Sequence, residues 1–220
     1  MTRRLRTAIL ISGRGSNMTV LIEAARSPSF PAEIVLVAAN RPDAGGLARA
    51  AAAGLPTVCV DHKAFGGREA FEQALQAELE RHRVGLVCLA GFMRVLTPWF
   101  IERWPGRLLN IHPSLLPSFR GLHTHERALA EGVRLHGATV HFVVPELDAG
   151  PIVAQGAVPV LEGDTPDTLA ARVLTVEHVL YPQALALVAS GSAMLANGRV
   201  ALTQAQAADA PGMLLNPPGP

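Results

Sequence analysis

Short apolar runs alternate with amphipathic stretches through the first half of the chain. TAILIS (7–12) is followed by a helical pattern from Asn17 to Ala25, and EIVLVAAN (33–40) by another from Gly46 to Ala53. PTVCV (56–60) leads into GREAFEQALQAELERHR (67–83), where apolar positions recur at helical spacing. VGLVCLA (84–90), a short helix from Pro98 to Trp104 and RLLNIH (107–112) complete the series. Continuous apolar strands separated by helices predict a parallel sheet buried on both faces.

The second half changes character. GATVHFVV (137–144) and GPIVAQGAVPV (150–160) predict longer strands around a turn. A long helix over 165–190 follows, begun by a Thr cap, and a weak strand pair, AMLA and RVAL, flanks the turn Asn197-Gly198. The predicted class is α/β: a doubly wound, mostly parallel, Rossmann-like sheet with added strands at one edge. One domain over 1–203 is expected, with a flexible proline-rich tail over 204–220.

Composition narrows the partners. The chain has 220 residues, 49% hydrophobic and 17% charged, with a formal net charge of +1 and no long basic block. That suits a compact globule and argues against a nucleic-acid partner. No apolar run is long enough to span a bilayer, so no membrane partner is expected. The basic start leads into TAILIS and a glycine-rich turn, without a cleavage site, which predicts a cytoplasmic protein. Cys59 and Cys88 both lie in apolar strand-like segments, where buried, reduced thiols are expected.

Three places carry candidate chemistry. SGRGSN (12–17) follows the first strand. Its glycines allow a tight turn, Ser16 and Asn17 can cap the next helix, and the N–H groups there suit a phosphate. A dinucleotide is the rival reading, because Gly13 and Gly15 begin G-x-G-x-x-G. Met18 replaces the third glycine, however, and Asn40 stands where an acid would hold a ribose. Arg41 leaves room for a 2′-phosphate, and a plain tight turn also fits.

The second place is Asn110 and His112, at the carboxyl end of a strand in a sheet of the kind that binds ligands there. Two residues apart, they point the same way and form a plausible oxyanion and proton-transfer pair; a structural role fits equally well. The third is Glu146 and Asp148, between two strands beside a Gly150-Pro151 turn. A carboxylate there could favour protonated His112, or be merely solvated. His123 and His125 raise a zinc reading, but the pattern of a catalytic site is not evident and no metal is expected.

Taken together, ISGRGSN, LAGFMRVL, LLNIHPSLLP, GLHTH and VHFVVPELDAGPI resemble the phosphoribosylglycinamide formyltransferase family of 10-formyltetrahydrofolate-dependent enzymes, in order from about Thr7 to Leu202. The resemblance implies a formyl transfer from 10-formyltetrahydrofolate, as cosubstrate, to the amine of glycinamide ribonucleotide. It implies Asn110, His112 and Asp148 as the catalytic trio, with Gly15, Ser16, Asn17 and Glu177 on the ribonucleotide. It places Arg68, Met93, Arg94, Val95, Leu96, Asn110 and the loop Val144, Pro145, Glu146, Leu147 and Asp148 on the folate. Arg120, at a variable loop position, receives no role beyond phosphate steering. A sibling formyltransferase, a formyltetrahydrofolate hydrolase and an NADP-binding oxidoreductase are the alternatives, and a monomer or homodimer is expected.

Overall fold

The computed structural model describes residues 3–203 and 214–216. The chain divides into two compact units, Met1–Asn110 and Ile111–Pro220.

In the first unit, β1 (Leu5–Ile11), α1 (Ser16–Ala25), β2 (Ala32–Ala39), α2 (Gly46–Ala52) and β3 (Thr57–Cys59) alternate. A short 3-10 turn (His62–Ala64), α3 (Arg68–Arg81), β4 (Leu86–Leu89), α4 (Pro98–Ile101) and the start of β5 (Leu108–His112) follow. The strands are parallel in the order β5-β4-β1-β2-β3. Chain order runs outward from β1 in one direction and then, at β4, in the other. The boundary between β1 and β4 is therefore the switch point, where the loops leaving the strand ends diverge and ligands bind. Ala8 to Ile11 and Leu86 to Cys88 are wholly buried, as expected of strands covered on both faces.

The second unit holds α5 (Thr124–Ala130), β6 (Leu135–Phe142), β7 (Ile152–Pro159), α6 (Pro166–Ala189) and the hairpin β8 (Ala193–Ala196) and β9 (Arg199–Leu202). β6 and β7 are antiparallel, and β10 (Leu214–Asn216) pairs antiparallel with β7. The expected tail, 204–220, otherwise lies outside the described residues. α6 buries Leu169, Val173, Val176, Leu180, Tyr181, Ala184 and Leu185. Its start is overdetermined. Thr165 and Thr168 form a reciprocal capping box, and Pro166 occupies the first turn, where its missing N–H costs nothing.

Two sequence expectations change. Cys59 is exposed on the short strand β3, which pairs among the described residues with β2 alone; Cys88 is buried. Neither Ser16 nor Asn17 caps α1. Gly15 takes the cap position in the left-handed region (φ 75°), and no side-chain cap bond forms.

Arg172 binds Asp164 through both carboxylate oxygens (2.7 and 2.8 Å), just ahead of α6. This pairing, with the Leu161 N–H and the Thr168 hydroxyl, holds the Asp164 carboxyl well below the usual carboxylate range. A depressed folded value means that the stabilisation is complete above the unfolded value of about 3.9 and is lost as pH falls through the folded value. Asp164→Asn is expected to lower Tm at pH 7, and thermal melts should show the gap to wild type closing as pH drops below about 4.

Candidate active site

The first unit organises the switch point around Ser12, the residue after β1. Its backbone N–H donates to the Gly91 carbonyl (3.1 Å), and its hydroxyl accepts the Met93 N–H (2.8 Å) and donates to Asn40 Oδ1 (2.6 Å). One side chain thus joins the loops leaving β1, β2 and β4. From Ser12 the chain turns through Gly15 into α1, whose first recorded i to i−4 bond runs from the Thr19 N–H to the Gly15 carbonyl (3.0 Å). The N–H groups of Ser16 and Asn17 precede that bond, and helix starts of this kind attract anions.

The segment after β4 is held at its other end too. Thr97 donates its N–H to Glu72 Oε1 (2.8 Å) and its hydroxyl to the same carboxylate. Glu72 is 1% exposed, on the inward face of α3 beside Phe71 and Leu75. Between these two anchors Leu96 is buried, the Arg94 guanidinium lies 5.6 Å from the centre of the Phe71 ring, and Met93 and Val95 face outward. Thr97 also borders a cleft of about 550 Å³ at the start of α3, lined by Gly66, Gly67, Arg68, Glu69, Ala70 and Gln73. Asn110, half-buried, is in register with Leu89 at the end of β4.

The second unit builds a charge-pairing site around His112. The side chains of His112 and Asp148 are 8% and 9% exposed, and Nδ1 lies 3.4 Å from Oδ2. On the other side of the ring, Nε2 is 2.9 Å from the Phe119 carbonyl, which can only accept. Acceptor oxygens therefore flank both nitrogens. Asp148 Oδ2 also accepts the Gly121 N–H (2.9 Å).

Local sequence explains how Asp148 arrives there. A Cβ on Gly150 would lie 1.7 Å from the Phe142 carbonyl oxygen, so only glycine lets the chain turn back this closely. Asp148 itself sits in the left-handed region (φ 49°), which Asp tolerates better than most residues. A register shift between Val140 and His141 re-aims His141, whose Nε2 lies 3.8 Å from Asp148 Oδ1. Burial pushes His141 and His125 down from the ordinary histidine value, and pushes His136 down to about 4. These rings stay neutral near pH 7.

A model of the formyl transferase family matches residues 5–185. The chain belongs to that family. It is 46% identical to the phosphoribosylglycinamide formyltransferase of Escherichia coli over 183 residues, 83% of this chain and 86% of that protein. It is 50% identical over 199 residues to the bovine trifunctional purine biosynthetic protein adenosine-3, covering 90% of this chain but spanning about a fifth (20%) of that longer protein. The crystal structure of glycinamide ribonucleotide transformylase 1 from Symbiobacterium toebii superposes with a TM-score of 0.90 at 43% identity, covering 93% of this chain and 96% of that one. The fold is thus the doubly wound, mostly parallel one that the sequence predicts, with antiparallel strands added.

In this formyl transferase, the residues singled out from sequence fall into separate groups. Gly15, Ser16 and Asn17 stand at the start of α1, Arg68 lines the cleft that Thr97 borders, and Met93 to Leu96 lie in the segment that Thr97 ends. His112 and Asp148 come together. Val144 to Leu147 form the loop leading to Asp148, and Glu177 is buried on α6. Asn40 bonds Ser12, and Arg41 pairs with Asp43 (2.5 Å), so neither is arranged as the dinucleotide reading required. His123 is exposed at the start of α5, 3.4 Å from Glu126; among the described residues no group of three or more His, Cys, Asp or Glu could hold a metal. Sequence reading missed the roles of Ser12, Asn40 and Glu72. The available signal was polarity out of place: a carboxylate on the apolar face of α3 and polar residues closing apolar strands.

Glu72→Ala leaves two donors of the part-buried Thr97 without their acceptor. It is expected to cost about 1–3 kcal/mol of unfolding free energy, read by urea denaturation.

Proposed function

We propose that this formyl transferase moves the formyl group of 10-formyltetrahydrofolate to the primary amine of N1-(5-phospho-D-ribosyl)glycinamide, as a cytoplasmic step of de novo purine synthesis, acting as a monomer or homodimer. The observation that carries this reading is the imidazole of His112, set between a buried carboxylate and a carbonyl. The names and coverage of the relatives support the choice of substrates.

The neutral amine attacks the formyl carbon, and negative charge develops on the formyl oxygen. Asn110 donates an amide N–H to that oxygen, and the positive charge of protonated His112 stabilises it. One positioned donor of this type is worth roughly 10²–10³ in rate. The attacking nitrogen then loses a proton, N10 gains one, and the bond from carbon to N10 breaks. His112, or a water held by Asp148, carries that proton, a contribution of roughly 10²–10⁴. Asp148 supports the cationic form of the ring throughout. The start of α1, with Gly15, Ser16 and Asn17, takes the ribonucleotide phosphate, and Glu177 takes the ribose hydroxyls. Arg68, Met93 to Leu96 and Val144 to Asp148 line the folate.

The test is an absorbance assay for the deformylated folate, run with and without the ribonucleotide. Product that requires the ribonucleotide supports transfer. Equal product without it makes the protein a hydrolase and overturns the proposal. Asp148→Asn is expected to lower kcat by roughly 10²-fold or more, with folate binding, measured by fluorescence titration, largely kept. Ser16→Ala should raise KM for the ribonucleotide and leave KM for the folate alone, as steady-state kinetics would show.

A further inference from the structure

Three consecutive residues hold the His112–Asp148 pair and the loop that bears it. The Phe119 carbonyl takes His112 Nε2–H (2.9 Å), and the Gly121 N–H binds Asp148 Oδ2 (2.9 Å). Between them, Arg120 Nη1 reaches across to Glu146 Oε1 (2.7 Å), two residues before Asp148. The loop is braced from behind. Arg127 Nη1 donates to the Arg120 carbonyl (2.6 Å), and its guanidinium lies 5.5 Å from the centre of the Phe119 ring.

We infer that Arg120 and Glu146 form a clasp that keeps the segment supplying the Phe119 carbonyl in register with the segment supplying Asp148, so that both acceptors face His112 together. Arg120 is then a positioning residue, acting through Gly121 and Glu146. The side chains are 41% and 73% exposed, so the pair contributes little to global stability and is screened by salt. Its effect lies in geometry. Arg120 and Gly121 are neighbours in sequence, as are the segments ending at Glu146 and Asp148, so the ion pair and the Gly121–Asp148 bond close one small ring. Loss of the first loosens the second, and misplacement of a catalytic group lowers turnover. The catalytic role of His112 and Asp148 is taken from the proposed function; the clasp itself is not.

The experiment therefore has a readout that needs no substrate. Amide hydrogen exchange at Gly121 is compared in wild type, Arg120→Gln, Glu146→Gln and the swap Arg120→Glu/Glu146→Arg, with Tm measured alongside. Each single variant should exchange about two- to fivefold faster at unchanged Tm, the range of an exposed ion pair, and the swap should restore protection. High salt should erase the difference between wild type and the single variants. In the transfer assay, Arg120→Gln should lower kcat by a similar factor with KM for the ribonucleotide unchanged, and Arg120→Lys should recover most of it. Unchanged Gly121 exchange in both single variants overturns the clasp, as does a swap no better protected than they are. A raised ribonucleotide KM with unchanged exchange assigns Arg120 to phosphate steering instead, and also overturns it. The expected exchange pattern in a protein that fails to formylate the ribonucleotide leaves the clasp standing and removes the proposed substrate.

Discussion

Gly150 is pressed against the Phe142 carbonyl so closely that no side chain fits between them, and the arrangement of His112 depends on that contact. The close approach lets the chain leave β6, form a short loop and return along β7 with Asp148 turned inward. A larger residue at 150 would push the loop outward and carry the carboxylate with it. The Phe142 N–H, bonded to the Pro151 carbonyl (2.9 Å), closes the turn from the other side. A backbone constraint, rather than an attraction between side chains, thus sets where the negative charge stands.

The first unit solves a different problem. Loops that leave a parallel sheet at its switch point carry polar backbone groups over partly buried ground, and each group hidden from water needs a partner. Ser12 serves Met93 and Asn40 at once, and Glu72 serves two donors of Thr97. Anchoring both ends of the segment fixes the backbone while the side chains of Met93 and Val95 remain exposed. A backbone so anchored leaves little ordering to be done when those side chains meet a partner.

The sequence was most legible where one local signal sufficed. Continuous apolar runs located the strands from β1 to β5, and the Thr165 cap located the start of α6 within a residue. LDAGP showed its turn through Gly150, and family motifs singled out the His112 and Asp148 that meet in the structure. What stayed hidden depends on partners remote in sequence. Glu72 meets Thr97 across 25 positions and Ser12 meets Met93 across 81, separations that no periodicity encodes. The cap of α1 misled for a related reason: Ser and Asn favour cap positions in general, but here a left-handed Gly15 starts the helix and moves both into its first turn. Cys59 misled because an apolar run does not reveal that β3 is three residues long and, among the described residues, pairs on one side.

Electrostatics then acts on the imidazoles packed around His112. Burial lowers His125, His136 and His141, since removing a charged ring from water is costly without a partner. A charge on His112 adds to the effect, because it repels a second proton on any of the three. His141 shows the balance best. It lies 3.8 Å from Asp148, which favours its charged form, yet desolvation outweighs that attraction. Its Nδ1 is 2.9 Å from the Phe142 carbonyl, a contact the neutral ring satisfies with its single N–H. His112 stands nearer the same carboxylate, 3.4 Å against 3.8 Å, and the Phe119 carbonyl faces its other nitrogen.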